Sequence, residues 1–236
     1  MKLLAFDTST DTLHLGACDG QRRLTHAEAG GAQSSARIVP LALATLEELG
    51  MVWADLDAIV MGRGPGSFTG LRTACAVAQG LAYGARRPVL PIDTLWAVAE
   101  EARQEQPQAR VLAVLDARMG QFYVAAWHYH DGRWSLVEDS ALKNPDEVRW
   151  PQAWLGQKAA VTAAGLGLDP VWPQLQGATD GSGPPRLRVS AAPTASALLR
   201  LAPQAWAEGL AVPAQGALPM YVRDKVAQTM AERAAG

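Results

Sequence analysis

Cysteine is nearly absent from this chain: among 236 residues only Cys18 and Cys75 occur, far apart and in hydrophobic surroundings. Two isolated cysteines make neither a disulfide framework nor a zinc site, so we expect a reducing compartment. The apolar run at residues 3–6 ends at Asp7 and is too short for the core of a signal peptide. An uninterrupted run of about eighteen apolar residues is also lacking, so no membrane-spanning helix is expected. These absences predict a soluble, cytoplasmic protein.

An excess of positive charge is lacking as well. The 21 Lys and Arg residues are balanced by 23 Asp and Glu residues, which gives a net charge of −2. Because strong binding to nucleic acid needs a clustered excess of Lys and Arg, any contact with RNA is expected to run through a partner. Hydrophobic residues make up 49% of the chain, enough for one large domain or two lobes.

The first hundred residues alternate strand-like and helix-like patterns. Asp19-Gly20 between two strand-like runs predicts a hairpin. Ser34 or Ser35 can cap a helix that ends at Gly50. Strands are expected at residues 3–6, 13–18, 22–29, 57–61 and 88–92, and helices at 34–50, 69–85 and 94–106. Three hairpin-linked strands followed by strand–helix alternation are typical of a ribonuclease-H-like lobe.

The second half repeats this start. The apolar run at residues 111–115 ends at Asp116, residues 122–130 alternate, and Asp131-Gly132 repeats the turn. The copy becomes less regular after residue 145. We expect an interrupted helix at 145–156, a strand at 161–165, a long surface connection at 169–193 and a second-lobe helix at 195–209.

The sequence therefore predicts an α/β fold of two ribonuclease-H-like lobes in tandem, as in actin, sugar kinases and the Hsp70 ATPase, with a degenerate second lobe. The predicted lobes span residues 1–107 and 108–210, and a tail at 211–236 can pack back on the first lobe. In that superfamily the aspartates that end the first strand of each lobe face a nucleotide across a cleft. The cleft-facing residues expected here are Asp7, Thr8, Ser9, Asp116 and Arg118.

The aspartates and Arg118 each have a simpler interpretation too. An aspartate that ends a strand can merely cap a tight turn. Arg118 can hold an anion or a partner carboxylate, or it can be an ordinary surface arginine. The residue types alone do not decide between these roles.

The segment "GRGPGSFTGLR", Gly62 to Arg72, joins a predicted strand to a predicted helix. It lacks the Gly-Lys-Ser/Thr ending of a Walker A loop. It is not a nucleophile elbow, because Pro65 and Thr69, and not glycines, lie two places either side of Ser67. Two interpretations remain: an anion site at a helix N-terminus, or a tight strand-to-helix connection.

The helix that follows is lined with small residues. Ala76, Gly80 and Gly84 recur every four residues and form a smooth ridge on one side. Since glycine inside a helix costs about 1 kcal/mol relative to alanine, close approach of a partner helix is the expected compensation. No metal site is expected: His128 and His130 share a strand face, but such pairs are usually ordinary surface residues.

Five blocks spread over the chain, "LLAFDTST", "GRGPGSFTGLR", "AQGLAYG", "LDARMGQFY" and "PMYVRDKVA", together resemble the bacterial TsaB (YeaZ) family. The resemblance implies a non-catalytic paralogue of TsaD, the subunit that attaches a threonylcarbamoyl group to the adenosine 3′ of the anticodon in tRNAs reading codons that begin with A. It also implies a heterodimer with TsaD, recruitment of the ATPase TsaE, and a homodimer when the protein is alone. The resemblance implies that the chain contacts tRNA only through the complex. It also implies that the chain binds no cofactor tightly, and that ATP or ADP binds only within the complex.

In this family the two first-lobe helices build the intersubunit bundle. The resemblance therefore implies a partner interface at Ile38, Leu41, Thr45, Gly64, Pro65, Gly66, Ser67, Phe68, Thr69, Arg72, Thr73, Ala76 and Gly80. The histidine pair that binds metal in TsaD has no counterpart at residues 32–40, which contain no histidine.

Two alternative functions stay open. One is an ATPase or phosphotransferase that uses Asp7 and Asp116. The other is a glycoprotease-like peptidase, for which the sequence offers no nucleophile–base pair and no metal site.

Overall fold

The computed structural model describes residues 1–31, 34–104, 106–176 and 184–223. Its first lobe is a five-stranded sheet in the order β3-β2-β1-β4-β5. The strands β1 and β2, and β2 and β3, pair antiparallel, whereas β4 pairs parallel with β1 and β5. The elements are β1 (Leu3–Asp7), β2 (Thr12–Cys18), β3 (Arg23–Ala29), α1 (Ser34–Glu48), β4 (Ala58–Gly64), α2 (Phe68–Ala85), β5 (Val89–Asp93) and α3 (Thr94–Arg103).

The second lobe has a sheet of the same topology, in the order β10-β9-β6-β7-β8. Its elements are β6 (Ala109–Asp116), β7 (Phe122–His130), β8 (Arg133–Lys143), β9 (Val161–Leu166), α4 (Trp172–Gln176), β10 (Arg186–Ser190) and α5 (Ala195–Ala207). The predicted tandem ribonuclease-H-like fold is confirmed.

The second lobe is degenerate in its helices and complete in its strands. Between β8 and β9, where the first lobe has α1, there are two single 3₁₀ turns, Pro145–Glu147 and Gln152–Trp154. Between β9 and β10, the five-residue α4 stands where the first lobe has the 18-residue α2. The expected interrupted helix at 145–156 is therefore wrong.

The expected surface connection at 169–193 is also wrong in part, because it contains α4 and β10. β10 pairs parallel with β9 along its whole length, from Arg186 opposite Val161 to Ser190 opposite Gly165. This strand escaped prediction because Pro and Gly dominate the flanking sequence and because a five-residue edge strand carries little hydrophobic pattern. Residues 177–183 of the same stretch lie outside the described residues.

The helices α3 and α5 form a central layer shared by both sheets. α5, expected to belong to the second lobe, packs on β1, β2 and β5 of the first sheet, while α3 packs on β6 and β7 of the second. The carboxylate of Glu100 on α3 joins this layer to β8, since it accepts hydrogen bonds from Arg103 (2.9 Å), Arg200 (2.6 Å) and the indole of Trp134 (2.8 Å). Burial would raise the pKa of Glu100, but these donors outweigh it and the pKa is lowered.

Residues 211–223 return to the first lobe. Val212 and Val89 exchange two backbone hydrogen bonds of 2.8 Å, and the amide of Met220 donates to the carbonyl of Arg63 at 2.7 Å. The side chain of Gln79 on α2 donates to the carbonyl of Ala217 at 2.9 Å. The tail thus lies along one side of α2. Within the described ranges, no helix is both long and apolar enough to span a bilayer.

Candidate functional site

The glycine-rich segment passes unusually close to the end of β1. A Cβ atom at Gly62 would lie 1.7 Å from a carboxylate oxygen of Asp7, and one at Gly70 would lie 1.8 Å from the carbonyl oxygen of Thr8. The amide of Ser67 already donates to the carbonyl of Ser9 at 2.7 Å, and the Thr8 hydroxyl donates to the carbonyl of Gly70 at 2.7 Å. Of the two interpretations of this segment, the tight strand-to-helix connection is the one that the geometry favours.

Asp7 lies in the interior behind this connection and does not line the cleft. Its side chain is fully buried and accepts hydrogen bonds from the amide (2.8 Å) and hydroxyl (2.6 Å) of Ser9. Burial raises the pKa of Asp7 to about 6, although hydrogen bonds from Ser9 and Thr94 oppose the shift. The expectation that Asp7 and Thr8 face the cleft needs correction, because both side chains are buried and serve the turn between β1 and α2.

A cleft of about 490 Å³ lies between the lobes, and Ser9, Asp116 and Arg118 are among the residues that line it. Arg118 donates across its mouth to both carboxylate oxygens of Asp11, at 3.0 and 2.9 Å. The amide of Arg118 also donates to Asp116 at 2.7 Å, which is the turn-capping arrangement that the sequence left open. Because the Arg118 and Asp11 side chains are 69% and 85% exposed, this ion pair adds little stability.

Two cleft residues were not predicted from the sequence. Asp11 directly follows the "DTST" motif, and no sequence pattern indicated that it lies in the cleft. Arg223 belongs to the "PMYVRDKVA" block; its guanidinium donates to the carbonyl of Ala117 (3.1 Å) and to the side chain of Gln121 (2.9 Å). The tail therefore fastens the β6–β7 hairpin to the first lobe, a contact between segments more than a hundred residues apart.

Metal-ligating side chains do not gather in groups of three or more anywhere in the described ranges. The rings of His128 and His130 lie 5.7 Å apart on β7, and His130 pairs with Asp131 at 2.9 Å.

One face of α2 is open to solvent. Ala76, Gly80 and Gly84 are exposed, and a Cβ atom at Gly80 or Gly84 would meet no atom within 4 Å. Tyr83, on the same side, is 82% exposed. The opposite face packs on the sheet through Leu71, Ala74, Cys75, Ala78 and Ala82. The small-residue ridge therefore lies uncovered along the C-terminal half of α2.

The residues assigned to the partner interface differ in accessibility. Four residues of the set need correction, because Gly64, Pro65, Ile38 and Thr45 are buried in the isolated chain and cannot touch a docked subunit directly. Ile38 and Thr45 point into the first-lobe core from α1. Their positions match the inward face of α1, since residues three and four apart share one side of a helix. The set divides into exposed Ser67, Thr69, Arg72, Ala76 and Gly80, half-buried Leu41, Gly66, Phe68 and Thr73, and buried Ile38, Thr45, Gly64 and Pro65.

Known proteins resemble the chain over nearly its whole length. A protein-family model described as "TsaD: tRNA N6-adenosine threonylcarbamoyltransferase" matches residues 21–165. The chain is 33% identical over 231 residues to the "tRNA threonylcarbamoyladenosine biosynthesis protein TsaB" of Escherichia coli, covering 96% of each. It is 38% identical over 123 residues to the protein of the same name from Haemophilus influenzae, covering 52% of each. The solved structure of YeaZ from Pseudomonas aeruginosa matches with a TM-score of 0.82 and 37% identity, covering 93% of this chain and 99% of that one.

Proposed function

This chain belongs to the TsaB family of tRNA threonylcarbamoyladenosine biosynthesis proteins, and we propose that it serves that pathway as a non-catalytic scaffold and activator of TsaD. The observation that carries the proposal is the uncovered face of α2. Small residues there leave the helix backbone accessible, and small side chains between two packed helices allow their axes to approach most closely, toward the lower end of the usual 8–10 Å. A first-lobe helix of TsaD is the partner that the family resemblance suggests for this face.

The surroundings of the two strand-ending aspartates support a non-catalytic role. A carboxylate that handles a metal-bound nucleotide must reach the cleft, whereas Asp7 is fully buried and hydrogen-bonded to Ser9. Arg118 at the cleft mouth is occupied by Asp11 and the nearby Asp116. Because the two carboxylates beside Arg118 repel the phosphates of a nucleotide, this part of the cleft offers little to such a ligand.

The rest of the proposal follows from the family and from the charge of the chain. The heterodimer would recruit TsaE, and ATP or ADP would bind only within that assembly. With a net charge of −2, the chain would meet tRNA only through the complex. In the absence of TsaD, the open face of α2 would pair with a second copy of the chain.

Calorimetric titration separates this role from the nucleotide-hydrolase alternative. We expect TsaD to bind the isolated chain at one-to-one stoichiometry, because TsaD would replace the second copy of the chain on the open face of α2. ATP with Mg²⁺ injected into the isolated chain should give no binding heat. ATP binding by the isolated chain without any binding of TsaD would reverse the assignment and favour the hydrolase.

A further inference from the structure

Arg72 is the only charged residue in α2, whose 18 residues run from Phe68 to Ala85. Its guanidinium carbon lies 3.8 Å from the centroid of the Phe68 ring. Its Nε donates to the hydroxyl of Tyr221 at 3.2 Å, and the Phe68 and Tyr221 rings lie 5.5 Å apart. One aromatic face and one hydroxyl, contributed by the helix and the tail, thus hold the guanidinium in place.

The outer edge of this guanidinium has no polar partner among the residues that the structure describes. Arg72 is exposed, and within the described part of the chain neither of its Nη atoms has a hydrogen-bond or ion-pair partner. A guanidinium that is stacked on an aromatic ring and held through Nε is pre-organised, so it loses little conformational entropy when it binds a ligand. Its two Nη groups match the geometry of a carboxylate, which they can bind in a bidentate manner.

The location of Arg72 in α2 indicates what its outer edge can bind. Ala76 lies one turn after Arg72 and Gly80 one turn further, so the guanidinium stands at one end of the open face. A face built of alanine and glycine offers few features that would distinguish one register of a docked helix from the next. A single positive charge that pairs with a carboxylate of the docked helix supplies that distinction. In any other register the guanidinium would be left unpaired against an apolar surface.

We propose that Arg72, held by Phe68 and Tyr221, sets the register of docking by a bidentate contact with a carboxylate side chain of TsaD. This inference rests on the proposed scaffold function. A carboxylate is favoured over an RNA phosphate because Arg72 is the only cation of α2, whereas phosphate-binding surfaces cluster several. The tail is then part of the interface, since Tyr221 is 46% exposed beside Arg72 and Leu218 is 62% exposed.

The test is the affinity of single variants for TsaD, measured by calorimetry at two salt concentrations. Arg72→Gln is expected to weaken binding by about 30-fold or more, because a partly desolvated carboxylate on TsaD loses its counter-charge. Arg72→Lys keeps the charge but loses the planar fork and should recover only part of the affinity. Tyr221→Phe removes only the hydrogen bond to Nε and should cost several-fold, roughly the contribution of one exposed hydrogen bond.

Arg133→Gln is the matched control, since Arg133 is an exposed arginine of β8 that pairs with Glu208 in the second lobe. It should leave the affinity for TsaD unchanged. The proposal also predicts that the salt dependence of binding falls in Arg72→Gln, and that reversing one carboxylate on the docking helix of TsaD restores binding to Arg72→Glu.

Several results would overturn the proposal. If Arg72→Gln binds TsaD as tightly as Arg133→Gln while a bulky residue at Gly80 abolishes binding, the scaffold function stands and the role of Arg72 falls. If neither Arg72→Gln nor the bulky residue at Gly80 weakens the binding of TsaD, both the scaffold function and the role of Arg72 are wrong. If Arg72→Gln weakens the binding of tRNA to the assembled complex and not the binding of TsaD, the anion is a phosphate and the carboxylate assignment is wrong.

Discussion

Replacing Gly80 with tryptophan is expected to abolish the heterodimer with TsaD while leaving the monomer folded. Apart from its chain neighbours and the backbone of its own helix, a Cβ atom at position 80 would meet no atom within 4 Å, so an added side chain points into open space in the isolated protein. A docked helix does not, because the indole would stand where the two helix backbones approach each other. Because the tryptophan ring does not fit between α2 and a docked helix, we expect the affinity for TsaD to fall by about 100-fold or more, measured by calorimetry or analytical ultracentrifugation.

Two controls separate this effect from a general one. Gly156→Trp places the same side chain at an open position of the second lobe and should leave binding intact. Gly80→Ala adds a single methyl group to the same face; it should weaken docking only slightly and raise the stability of the monomer by up to about 1 kcal/mol through helix propensity. An undiminished heterodimer with Gly80→Trp would show that TsaD binds another surface.

Asp7→Asn is expected to stabilise the protein above neutral pH. The pKa of Asp7 is raised by burial from its usual 3.8 to about 6, so the folded state binds the proton more tightly than the unfolded state. The contribution of this tighter proton binding to the free energy of unfolding is fully present below the pKa that Asp7 has in the unfolded state. It is lost as the pH rises through the pKa that Asp7 has in the folded state. About two pKa units correspond to roughly 3 kcal/mol at full ionisation, which asparagine does not lose because it never ionises.

Urea unfolding of both proteins between about pH 5 and pH 8 measures this effect. The free energy of unfolding of the variant should exceed that of the wild type at the alkaline end, and the difference should shrink toward the acid end. Asp93→Asn is the comparison, because burial also raises the pKa of Asp93 to about 6, against an opposing interaction with Arg63. Parallel pH curves for wild type and Asp7→Asn would mean that the Asp7 carboxylate has an ordinary pKa and is solvated.

The sequence predicted those parts of the fold that local signals determine. The Asp19-Gly20 and Asp131-Gly132 turns fall between paired strands, and the duplication is visible because both strand-one runs end in aspartate. The position of α5 was not predictable in the same way. An apolar helix face indicates that the helix is buried, but it does not indicate which sheet the helix packs on. The sheet on which α5 packs depends on contacts between segments that are distant in sequence.

The same distinction applies to the candidate site. The exposed ridge of α2 follows from the spacing of Ala76 and Gly80, which helix geometry fixes. The burial of Asp7 does not follow from its own neighbours, because it depends on Gly62 approaching from β4. The contact of Tyr221 with Arg72 joins residues 149 positions apart, and no local pattern records it.

Hydrogen–deuterium exchange of the backbone amides, followed with and without TsaD, tests the central claim most directly. Peptides from residues 69–84 of α2 should exchange more slowly in the complex than in the free chain kept dilute enough to be monomeric, because a docked helix excludes water from their exposed side. Peptides from β8, on the far edge of the second sheet, should exchange unchanged. A complex that forms while α2 exchanges as it does in the free monomer would contradict the claim that TsaD covers this face.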